Sequence, residues 1–92
     1  MITAIVFIEA EVSQIPEVAA AIAELDGVSE VYSVTGQIDL IALVRVRDHD
    51  SVATVVTDRI NKVPGVIDTE THIAFRTHSR HDLEAAFSLG LD

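Results

Sequence analysis

Residues 2 to 10, ITAIVFIEA, are apolar on both parities: Ile2, Ala4, Val6 and Ile8 fall on one side of an extended chain, and Ile5 and Phe7 on the other beside Thr3 and Glu9. A half-solvated strand alternates to polar residues, so this pattern calls for a central strand with both faces covered. A second segment of the same kind, Ile38 to Arg47, puts Ile38, Leu40, Ala42, Val44 and Val46 on one face and Asp39, Ile41, Leu43, Arg45 and Arg47 on the other. Two such strands within 92 residues fit one sheet in one domain.

The intervening segments carry helical spacing. Ile15, Val18, Ala19, Ile22 and Leu25 form one stripe, with Ser13 as expected N-cap, Pro16 in the first turn and Gly27 placed to take the left-handed stop after Leu25. Val28 to Thr35 is rich in strand formers, and Gly36-Gln37 predicts a hairpin turn into the second central strand. After Asp48-His49-Asp50 the stripe Val52, Val55, Val56, Ile60 and Val63 predicts a second helix, capped by Asp50 and stopped at Pro64-Gly65. Val66 to Thr77 then alternates as an edge strand, with Ile67, Ile73 and Phe75 on one parity and Asp68, Glu70, His72 and Arg76 on the other. Ile22, Leu25, Gly27 and Val28 recur 38 positions on as Ile60, Val63, Gly65 and Val66, so both halves read helix, glycine stop, strand. The fold class is therefore α+β, a ferredoxin-like βαββαβ αβ-sandwich. Right-handed crossovers place strands one and three at the centre of a four-stranded antiparallel sheet, with both helices on one face. Residues 79–92 form a C-terminal tail or short helix through Leu83, Ala86 and Phe87, outside a domain spanning 1–78.

Composition narrows the function. A chain of this length buries only about 60% of its unfolded surface, so 49% apolar residues implies self-association. No cysteine is present, which removes disulfide scaffolds and thiolate metal sites. With 15 acidic and 6 basic side chains the formal charge is -9, which opposes direct binding to nucleic acid or to an anionic membrane. Neither a basic leader nor an apolar run of membrane-spanning length is visible, so a cytoplasmic protein is expected.

If the even-numbered residues of the central strands meet the helices, then Ile5, Phe7, Ile41 and Leu43 lie on the helix-free face. That face is covered either by the tail, through Leu83, Phe87 and Leu89, or by a second subunit packed sheet against sheet about a twofold axis. The dimer is the expectation, with those four residues as its interface.

Four histidines raise the question of a metal, but the closest pair, His78-x-x-His81, lies at a strand-to-helix break with no third ligand fixed by the sequence. No nucleophile motif and no phosphate-cradling loop appears, so neither a catalytic residue nor a cofactor is assigned. The informative stretch is Val31 to Leu40, VYSVTGQIDL. Gly36 suits a positive φ, and Asp39 either satisfies backbone donors at the turn or, as a carboxylate opening an apolar strand, meets a cationic partner.

The order V-x-x-V-Y-x-V-T-G-x-x-D-L, VRVRD, helix, V-P-G-V-x-x-T-x-T-x-I resembles the effector domain of the Lrp/AsnC regulators, also called the regulation of amino acid metabolism (RAM) domain, over about residues 1 to 77. The resemblance implies sheet-to-sheet homodimers assembling into higher oligomers and a small-molecule effector, an amino acid or similar, held where dimers meet. Matched position by position, it implies that Thr35, Gly36 and Asp39 form the effector-binding turn, with Thr69 and Thr71 from the last strand. A zwitterion needs a carboxylate for its ammonium group and hydroxyl or amide donors for its own carboxylate, so the chemistry is coherent. Regulators of this family carry a DNA-binding helix-turn-helix ahead of this domain, whereas here the first strand begins at Ile2. The expectation is a stand-alone, non-enzymatic effector domain, acting on transcription through full-length Lrp/AsnC relatives and not by its own DNA contacts. The rival is a small dimeric ferredoxin-like enzyme of the monooxygenase or isomerase type, working between sheet and helices.

Overall fold

The computed structural model describes residues 1–80. Strands β1 (Ile2–Ala10), β2 (Val28–Ser33), β3 (Leu40–Val46) and β4 (Val66–Ala74) form one antiparallel sheet in the order β2-β3-β1-β4. Helix α1 (Ile15–Ala23) follows a 3-10 turn at Val12–Gln14. Helix α2 (His49–Ala53) continues through a π turn, Thr54–Arg59, and a 3-10 turn, Ile60–Lys62. The βαββαβ order and the two central strands agree with the alternation and the repeat. The expected tail helix and its apolar residues lie outside the described residues.

Even parity builds the core. Ala4, Val6, Ile8, Leu40, Ala42 and Val44 are 0% exposed, clustered with Val18 and Ile22 from α1 and with Val52, Val55, Val56 and Ile60 from the second helix. No polar side chain is buried among the described residues.

The repeated glycines tie the halves together. Gly27 and Gly65 have φ of +93° and +97°, so each takes the left-handed position that stops a helix. A Cβ at Gly27 would lie 2.7 Å from Cγ2 of Val55 in the second helix, and one at Gly65 would lie 2.6 Å from Cγ2 of Val18 in α1. Each half's turn is thus pressed against the other half's helix.

Four local expectations change. β4 ends at Ala74 and not Thr77, which leaves Phe75 and Arg76 beyond the strand. Ser13 does not cap α1: it lies inside the 3-10 turn Val12–Gln14, so the N-cap position falls on Gln14, which makes no side-chain hydrogen bond. The second helix is capped by Asp48 and not Asp50, with Asp48 Oδ1 accepting the Ser51 N–H at 2.8 Å; Asp50 sits in the first turn, where its charge still suits the helix dipole. The turn between β2 and β3 is longer than Gly36-Gln37, spanning 34–39 and closed by the Val34 N–H on the Asp39 carbonyl at 3.1 Å, so β3 starts at Leu40 and not Ile38.

Candidate functional site

Odd parity builds a different surface. Register pairs Ile5 with Leu43 and Phe7 with Ile41, and paired residues share a face, so these four form a half-buried apolar patch at the centre of the helix-free side. The flanking strands surround it with polar groups: Glu30 and Tyr32 stand opposite Leu43 and Ile41, while His72 and Glu70 stand opposite Ile5 and Phe7. The Tyr32 hydroxyl donates to the Glu30 carboxylate, and that bond raises the phenol's pKa above its ordinary value. His72 Nε2 lies 3.1 Å from Glu70 Oε2, and its ring tilts against that of Phe7 at a 5.0 Å centroid separation. An apolar centre with a polar rim is the anatomy of a protein interface.

At one end of this face stands the 34–39 turn. Gly36 has φ of +112° and a Cβ there would meet nothing within 4 Å, so glycine is required by conformation alone and the turn projects outward. The Asp39 N–H donates to the Ile8 carbonyl (3.0 Å) and its Oδ2 accepts the Ala10 N–H (2.9 Å), which fastens the turn to β1 where that strand's register shifts at Glu9/Ala10. Asp39 does satisfy a backbone donor, and Oδ1 keeps its acceptor capacity.

Thr69 stands opposite Ile8 across β1 from Asp39, and its hydroxyl donates to Asn61 Oδ1 at 2.7 Å. Thr71, opposite Val6, is exposed two residues further along β4, and by these pairings both threonines lie on the helix side of the sheet, not on the face of Phe7 and Ile41. A single chain therefore brings Asp39 and Thr69 to the two sides of Ile8, leaves Thr35 and Gly36 exposed in the turn, and encloses no cavity with all five residues. Beside them lies a cleft of about 160 Å³ lined by Phe7, Glu9, Ile38, Asp68, Thr69 and Glu70. Ile38 and the three carboxylates were not assigned to a site from the sequence; the β1–β4 register, pairing Glu9 with Asp68 and Phe7 with Glu70, gathers the carboxylates, and the 34–39 turn brings Ile38 beside them. A larger cleft, about 290 Å³, lies at the far end of β3 and touches none of these residues. No cluster of three or more His, Cys, Asp or Glu with metal-binding geometry occurs among the described residues, where His78 is the one member of its pair included.

Fold and site define a ferredoxin-like sandwich presenting an apolar sheet face and, at its end, an exposed glycine turn. A family model described as the Lrp/AsnC ligand binding domain matches residues 3–83, and the chain belongs to that family. The HTH-type transcriptional regulator PH1916 of Pyrococcus horikoshii is 38% identical over 61 residues, covering 66% of this chain and 41% of the relative. This chain thus spans about two fifths of the length of that regulator. TTHA0845 from Thermus thermophilus is 49% identical with a TM-score of 0.82, over 87% of this chain and all of that one. The feast or famine regulatory protein Rv3291c of M. tuberculosis, solved in complex with L-methionine, is 27% identical with a TM-score of 0.72, over 87% of this chain and 54% of the other.

Proposed function

We propose that this domain is a non-enzymatic, oligomeric sensor that binds an amino acid or similar zwitterion at the 34–39 turn, completed by a neighbouring copy. The observation that carries the reading is that turn: it projects from the end of the interface-like face, its Gly36 is open to approach, and Asp39 retains a carboxylate oxygen. In this scheme Asp39 holds the ligand ammonium, Thr35 and the Gly36 amide serve its carboxylate, and Thr69 and Thr71 come from the last strand of the neighbouring copy, since within one chain they stand on the helix side of the sheet. Glu9, Asp68 and Glu70 favour a cationic end in the adjoining cleft. The L-methionine complex of Rv3291c supports the ligand class.

Dimers form through Ile5, Phe7, Ile41 and Leu43 and associate further at their rims. Regulation reaches DNA through full-length relatives, since a charge of -9 opposes phosphate binding by this domain. No helix among the described residues is long and apolar enough to cross a membrane, and the proposed setting is the cytoplasm. An enzyme working between sheet and helices needs polar groups there, and the layer is filled by apolar side chains.

Differential scanning fluorimetry against the twenty amino acids tests the ligand class. One present at 100 times its Kd stabilises the fold by about 2.7 kcal/mol, a readable shift in melting temperature. A set without any shift would remove the amino acid reading.

A further inference from the structure

We propose that the cleft at the far end of β3 is a second ligand site, selective for a small molecule bearing a phosphate or carboxylate group. Its volume is about 290 Å³, near the lower end of small-molecule pockets, and its polar lining consists of Arg47, Ser51, Thr54 and Arg59. The chain has 15 acidic and 6 basic residues, yet this lining takes two of the arginines and none of the carboxylates. Such a bias concentrates positive potential at one point of a strongly acidic molecule.

The arginines are available. Neither Arg47 nor Arg59 has a carboxylate within 4.0 Å among the described residues. Arg59 commits Nη1 to the Asp26 carbonyl at 2.8 Å, which holds the guanidinium against the Asp26-Gly27 turn and leaves its other N–H groups to donate. Planar guanidinium forks match carboxylate and phosphate oxygens bidentately, and one of the two forks is already fixed in place. Ser51 adds a hydroxyl, whereas the Thr54 hydroxyl is occupied by the Asp50 carbonyl at 3.2 Å. Asp26, Asp48, Asp50 and Asp58 adjoin the lining residues in sequence but do not line the cleft; Asp48, which feels the charge of Arg47, accepts the Ser51 N–H.

The backbone shapes the floor. Thr54 to Arg59 is the π turn, in which the Ile60 N–H reaches the carbonyls of both Val55 and Val56, and π turns within α-helices are frequent at functional sites. Gly27 closes the cleft from the other side against Val55 and Val46, so a larger residue there would displace both. The site is distinct from the effector turn, since β3 runs from Leu40 to Val46 between them, about 20 Å at the usual strand rise.

Calorimetric titration of the wild-type domain with inorganic phosphate, pyrophosphate and citrate, at constant ionic strength set with sodium chloride, tests the proposal. At least one anion should bind saturably, with affinity falling tenfold or more in Arg47→Gln and in Arg59→Lys. Arg45→Gln should bind as wild type does, because Arg45 points to the opposite sheet face, whereas Arg47 lies past the end of β3 at Val46 and leaves the strand's alternation. Preference for the phosphates or for citrate then assigns the anionic group. Arg47 is exposed, so Arg47→Gln should keep the wild-type melting temperature and report on binding alone. Absence of saturable binding by wild type, or equal affinity in Arg47→Gln, would overturn the assignment.

Discussion

The two faces of β1 and β3 are built from the same kinds of residue and end in opposite conditions. On even parity, Ile8, Leu40 and their neighbours are fully buried under two helices from their own chain. On odd parity, Ile5, Phe7, Ile41 and Leu43 are half-buried with a charged rim. Hydrophobicity therefore does not distinguish the internal core from the open face proposed as the dimer interface. What distinguishes them is the company each face keeps: no polar side chain is buried among the described residues of the helix-side core, whereas Glu30, Tyr32, Glu70 and His72 ring the open patch.

Substitutions on the two faces should separate accordingly. Leu43→Asp has the largest expected effect, because an unpaired carboxylate between sheets costs several kcal/mol; the particle mass measured by light scattering should fall, or the protein should unfold. Retention of wild-type mass and melting temperature would show the interface to be elsewhere. Ile22→Ala, on the helix side, should cost about 2 to 5 kcal/mol in denaturant unfolding through lost burial and a residual cavity, while the folded fraction keeps its wild-type mass. A change in mass for Ile22→Ala without loss of stability would erase the distinction between the faces.

Gly65→Ala tests the contact that joins the halves. An L side chain at φ +97° costs roughly 1 to 3 kcal/mol by conformation, and its Cβ would also crowd Val18 and Gln14. Gly36→Ala carries the conformational cost alone, since nothing lies near it, so calorimetric melting should rank Gly65→Ala as the more damaging.

Much of this was legible in the chain. Parity alone located the core residues of β1 and β3, the 38-residue recurrence supported the helix, glycine stop, strand order of each half, and right-handed crossovers then gave the strand order. The errors arose where one residue decides between equivalent local patterns. Asp48 and Asp50 both precede the helical stripe, and Asp48 wins because it stands three residues before a free N–H at Ser51. The π turn leaves no mark in the stripe Val52, Val55, Val56, Ile60, since an altered backbone hydrogen bond need not change which residues are apolar. Thr69 and Thr71 read as strand formers or ligands alike, and their placement depends on a β1–β4 register with a shift at Glu9/Ala10 that no nearby residue signals. The acidic cleft is likewise a product of pairing between residues some sixty positions apart in the chain, such as Glu9 and Asp68.

Acid should expose the cap. Hydrogen bonds from Ser51, side chain and backbone, hold the Asp48 pKa below its ordinary value, so its contribution to stability is complete above the unfolded-state pKa and is lost as pH falls through the lower folded-state pKa. Asp48→Asn, which keeps a capping oxygen without the charge, should flatten this part of the acid melting profile; an unchanged profile would show that Asp48 does not contribute.

The smallest expected effect on stability belongs to Asp39→Asn, because an amide oxygen still accepts the Ala10 N–H. Its effect on the ligand should be large, which makes it the most direct test of the sensor reading. Titrating wild type and Asp39→Asn with the amino acid chosen by the thermal screen should show affinity falling by about 1.5 to 3 kcal/mol, roughly ten- to a hundredfold, at near-equal melting temperatures. Equal affinities, with any loss appearing only in melting temperature, would reduce Asp39 to a fastening of the turn and contradict its place in the effector site.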